Sequence, residues 1–93
     1  MGTFVAEPFE PLVIWDLEDD PDGNVQHIAE HGLTIEDIEE VLSNPTSTGT
    51  SVSSGRPCVW GYTLEGIYTI VVYDEIDQDT VRVVTAYEVP ESR

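Results

Sequence analysis

The chain contains no lysine, and its three arginines face 19 aspartates and glutamates. The formal net charge is −16. Affinity for nucleic acid rests mainly on Lys and Arg neutralising phosphates, and only Arg56, Arg82 and Arg93 can do that here. A field of this sign repels RNA and anionic lipid and attracts basic surfaces. Adaptation to multimolar salt also produces very acidic, lysine-free chains, and a Debye length of about 3 Å or less would then weaken the repulsion. Cysteine is almost missing as well. Cys58 stands alone, which excludes a disulfide framework and a cysteine-based zinc site. Its apolar strand setting gives it a packing role. No hydrophobic run approaches the ~20 residues that span a bilayer. No basic segment precedes an apolar run near Met1, so a secretory leader is not expected. The expected location is cytoplasmic, without membrane contact.

A 40% hydrophobic content is enough for a folded core, although a chain of this size buries only roughly 60–65% of its unfolded surface. Residues 1–11 carry Pro8 and Pro11 and little periodicity, and are expected to form an extended or disordered arm. Residues 12–90 are expected to form one domain. Leu12 to Trp15 is a short apolar run and the first expected strand. Glu18 to Gly23 is a turn. Asn24 can cap a helix over about Val25 to Glu30, in which Val25, Ile28 and Ala29 share one face. Gly32 can end it in the left-handed conformation.

Thr34 opens a second helix, with Asp37 in the capping-box position. Ile35, Ile38, Val41 and Leu42 form its apolar stripe, Glu36, Glu39 and Glu40 its wet face, and Asn44-Pro45 stops it. Residues 46–55 are small and polar and read as a weak edge strand or a mobile loop. Strands are expected over Pro57–Thr63, Ile67–Tyr73 and Thr80–Val89, with an acidic loop from Asp74 to Asp79. In the last strand Val81, Val83 and Thr85 alternate with Arg82, Val84 and Ala86. The predicted order is β-α-α-β-β-β-β. Short turns favour antiparallel pairing, so the expected fold is α+β: a small antiparallel sheet with two N-terminal helices on one face.

The segment from Trp15 to Pro45 resembles the N-terminal part of BrnT-like toxins, a compact branch of the RelE-like ribonuclease toxins. The family shows a W-D pair, an Asn opening a helix, a helix ending in H-G, and a [ST]-x-E-[DE] helix start. Trp15, Asp16, Asn24, His31, Gly32, Thr34, Glu36 and Asp37 match it. Towards the C-terminus the family runs G-R-…-V-V-Y-…-R-I-I-S-A-R. Here Gly66, Val71-Val72-Tyr73 and Arg82 to Tyr87 fill those places, and Gly55-Arg56-Pro57 fills that of a basic residue before the third strand. The resemblance spans roughly residues 12–88. It implies the same α+β layer fold, metal-independent RNA cleavage and a cognate antitoxin partner.

Such cleavage needs a group to activate the 2′-hydroxyl, a group to protonate the leaving oxygen, and positive charge on the phosphate. The resemblance assigns these catalytic roles to Arg56, Arg82 and His31. Tyr87 stands where the family has an arginine; it can donate a proton but cannot neutralise a phosphate. Arg56 and Arg82 can instead pair with some of the many carboxylates. His27 and His31 share a helix face and could hold a metal with Glu30 or the acidic turn, but no motif fixes a third ligand. As a calcium loop, residues 18–29 fail at the last position, where Ala29 replaces the bidentate Glu. No cofactor and no metal are expected. Two functions remain. One is a toxin-type ribonuclease restrained by its antitoxin and acting on RNA. The other is a non-catalytic acidic module that binds a basic protein partner.

Overall fold

A computed structural model describes residues 11–91. The elements run β1 (Leu12–Ile14), α1 (Asn24–Ala29), α2 (Ile35–Ser43), β2 (Ser47–Thr50), β3 (Pro57–Tyr62), β4 (Tyr68–Asp77) and β5 (Thr80–Glu88). This is an α+β fold with the predicted element order. The arm expected over residues 1–11 lies, except for Pro11, outside the described residues. Among the described residues no helix is long and apolar enough to cross a membrane.

The helices begin and end as local chemistry dictates, with one exception. Thr34 Oγ1 accepts from Asp37 N at 3.2 Å, and Thr34 N donates to Asp37 Oδ2 at 3.1 Å, a complete capping box for α2. Gly32 takes φ +77° after α1. Leu33 N reaches Ile28 O and Gly32 N reaches Ala29 O, the Schellman pattern, and buried Leu33 joins Ile28 in the core. The exception is Asn24. Gly23 occupies the cap position of α1, without a side-chain cap, and Asn24 is the first helical residue. A Cβ at Gly23 would lie 2.7 Å from Asp16 Cβ, so glycine is what lets the Asp16 and Asn24 segments close on each other.

The sheet order is β1-β5-β4-β3-β2. β2 to β5 form an antiparallel meander through short turns. The expectation of an all-antiparallel sheet is corrected at one edge. β1 pairs parallel with β5, Val13 opposite Val81, so the sheet is mixed. The two helices and strands β2 to β4 lie between these two in the chain, so no short turn dictates their direction. Residues 46–55 resolve into the edge strand β2 and a turn.

β4 also runs further than expected, to Asp77, and the predicted acidic loop shrinks to a tight turn. Asp74 lies opposite Arg82 in the ladder, so opposite charges support the strand there. A bulge in β5 changes the predicted alternation. Tyr73 pairs with Val83 but Val72 pairs with Thr85, which leaves Val84 as the extra residue. One added residue exchanges the faces, so Ala86 and not Thr85 follows Val81 and Val83 into the core.

The main core lies between the helices and one face of the sheet. Ile28, Leu33, Ile38, Val41 and Leu42 meet Val59, Val71, Tyr73, Val81, Val83 and Ala86, with Val13 and Trp15 at the margin. The other face carries a smaller cluster of Cys58, Ile70 and Val72 beside Trp60 and Val89.

Candidate functional site

The four residues singled out by the resemblance fall into two groups. His31 and Tyr87 come together. α1 packs along β5, and its two histidines meet the part of that strand beyond the bulge at Val84. His27 Nε2 lies 2.9 Å from Thr85 Oγ1. The His27 and His31 rings, one helical turn apart, meet edge to face with centroids 5.4 Å apart. The His31 and Tyr87 centroids are 5.9 Å apart. His27, His31 and Tyr87 are solvent-exposed. The cluster presents two imidazoles and a phenol to a ligand, and it contains no arginine.

The arginines form the second group. Arg82 Nη2 contacts Asp16 Oδ2 at 2.6 Å, and Arg56 Nε contacts Asp74 Oδ1 at 2.7 Å. Since Asp74 and Arg82 are ladder partners, the order across the sheet is Arg56, Asp74, Arg82, Asp16, with the sign of charge alternating. Arg82 and Tyr87 are five residues apart on β5, about 16 Å at ordinary strand rise. The four candidates therefore do not surround one reacting phosphate. Among the described residues each arginine already has a carboxylate partner, and a phosphate would have to displace it. Each pair is partly open to water and contributes about 0–1 kcal/mol to stability.

Asp16 is held from a second side. Its Oδ2 accepts from Asn24 N at 2.8 Å, while Asp16 N donates to Asn24 Oδ1 at 2.9 Å. Asn24 Nδ2 donates to Ile14 O and Val83 O, both at 3.0 Å. Asn24 thus ties the end of β1 to β5 at the point where their ladder stops. Sequence reasoning assigned Asn24 to a cap and could not name Asp16 and Asp74 as counter-ions. The W-D pair was the only signal for Asp16, and nothing local marked Asp74 or Thr85.

Cys58 is buried, and burial pushes its thiol pKa up, away from a nucleophilic thiolate. Among the described residues no three His, Cys, Asp or Glu side chains are grouped to hold a metal. One surface pocket of about 210 Å³ lies between Val13 and Leu42, and another of about 260 Å³ lies between the two helices. Neither is lined by Arg56, Arg82, His31 or Tyr87. Comparisons with protein-family models, with curated proteins and with solved structures found no match to this chain.

Proposed function

We propose that the chain is an acidic protein-binding module built on a BrnT/RelE-like toxin scaffold, and that it holds a basic protein partner instead of cleaving RNA. The observation that carries this reading is the pairing of Arg56 with Asp74 and of Arg82 with Asp16. A phosphate approaching either arginine meets a carboxylate within 3 Å of the guanidinium. The net charge of −16 opposes RNA at longer range and draws a basic surface in.

The toxin-type ribonuclease, restrained by an antitoxin, is the second reading. The meeting of His31 with Tyr87 favours it, because a proton donor and acceptor side by side are what cleavage of a phosphodiester requires.

One pair of assays separates them. Mixed RNA incubated with the protein at low and at high salt should stay intact. A lysine-rich peptide should bind, with affinity falling as salt rises, while a neutral peptide of equal length should not. Robust RNA cleavage that disappears in both Arg56→Ala and Arg82→Ala would overturn the binding-module reading and restore the ribonuclease.

A further inference from the structure

β2 is one border of the sheet, and among the described residues nothing pairs with its outer side. All four of its residues are exposed. Free borders are usually guarded by lysine, proline, a bulge or a covering segment, because their open backbone groups template pairing with another chain. Ser47-Thr48-Gly49-Thr50 contains no charge and no proline, and it pairs regularly with β3 along its length. Ser51 N donates to Arg56 O at 2.7 Å, so Ser51 turns its backbone groups toward β3. Alternation then turns Gly49 the same way and leaves the N–H and C=O of Thr48 and Thr50 pointing outward.

Charge singles out the same border. No acidic residue occurs from Val41 to Leu64, so all 19 lie elsewhere in the chain. Two molecules that repel each other strongly can meet along β2 without setting acid against acid.

We propose that two copies of this chain pair through β2, antiparallel about a two-fold axis at Gly49, to form one continuous sheet. In that register Thr48 of one copy and Thr50 of the other exchange both of their backbone hydrogen bonds. Gly49 faces its own counterpart as a non-hydrogen-bonded pair, the closest approach in a ladder at about 4.5 Å between Cα atoms. The missing side chain leaves room there for the indole of Trp60. Trp60 lies against this position: a Cβ on Gly49 would be 3.1 Å from Trp60 Cζ3. The two indoles therefore flank the axis and add apolar contact to the hydrogen bonds. The area buried is on the order of several hundred Å², below the ~1,200 Å² of stable complexes, so the dimer is weak and reversible.

Salt gives this dimer a signature opposite to that of a basic partner. Screening removes the repulsion between like-charged copies, so self-association strengthens with salt, whereas attraction of a basic partner weakens. The test is sedimentation equilibrium of the protein alone at up to about 1 mM, the weak end of specific association, between about 0.05 and 1 M salt. The expected result is a monomer at low salt and a dimer that grows with salt. Thr48→Pro removes an outward donor that the fold does not use, and edge strands tolerate proline there. It should weaken the dimer about tenfold or more while keeping the wild-type circular dichroism. Thr50→Asp should also weaken it, by putting acid on the neutral border. A monomer at every salt and concentration would overturn the proposal. So would a dimer unaffected by either variant, or indefinite aggregation without a dimer plateau. Any of these outcomes leaves the basic-partner reading standing, and failure of the basic peptide to bind leaves this one standing.

Discussion

Asn24 shows how one amide can close a fold. It is buried, and its side chain reaches Asp16 N, Ile14 O and Val83 O at the junction of β1, β5 and α1. Two carbonyls and one N–H at the end of a parallel ladder would otherwise lack partners. Asn24→Ala is expected to cost about 2–4 kcal/mol, the loss of several buried hydrogen bonds together with the groups left unsatisfied. Thermal and denaturant melts of the variant check this, and a loss below about 0.5 kcal/mol would place the junction's stability elsewhere. Asn24→Asp retains the shape but turns an acceptor toward both carbonyls. It should be at least as damaging as the alanine at neutral pH. Arg82 has a related duty, because its partner Asp16 is also held by Asn24. In this setting an arginine that the resemblance offers to a phosphate is engaged in fixing the first strand.

At the scale of elements, α2 provides the clearest test of local coding. Thr34→Ala removes one half of the capping box and is expected to lower stability by about 0.5–2 kcal/mol, read from the denaturation midpoint. A midpoint unchanged within error would mean that packing of Ile38, Val41 and Leu42 alone sets the helix start. What the sequence made legible was of this local kind. Thr34 with Asp37, Gly32 after α1, and the apolar stripe of α2 each depend on neighbours within a few residues. What stayed hidden depends on distant partners. Asp74 looked like part of a loop because four of the six residues from Asp74 to Asp79 are acidic; its backbone pairs with Arg82 and its carboxylate with Arg56, both distant in sequence. The bulge at Val84 left no mark in the alternation of β5, since valine suits either face. Asn24 carries the same polar amide whether it caps a helix or ties two strands. The candidate site was legible in the same measure: His31 and Tyr87 could be named from the sequence but not their contact, and the carboxylates that occupy both arginines lie far along the chain, Asp16 in the turn after β1 and Asp74 in β4.

For the whole molecule, charge and topology set the behaviour. Sixteen excess negative charges repel one another most in the compact state, so the melting temperature should rise between low salt and about 1 M salt without any divalent ion. A flat or falling response in a salt-dependent melting series would mean that self-repulsion contributes little to the stability of the compact state. A jump with calcium alone would point to a cation site in the acidic turn after β1. The parallel edge strand has a consequence for the order of events in folding. β2 to β5 can zip up through neighbouring turns, whereas β1 must find β5 from across almost the whole described chain, joining Val13 to Val81. Closing so large a loop is entropically costly, so docking of β1 is expected after the folding transition state. Val13→Ala should then accelerate unfolding and leave refolding nearly unchanged, which stopped-flow rate measurements will reveal. A refolding rate that falls in step with stability would place β1 in the nucleus. During synthesis the order has a further effect: Leu12 to Ile14 leave the ribosome before the other described strands and stay unpaired until Arg82 has followed them out, so among these five strands the earliest made is the last one sheltered.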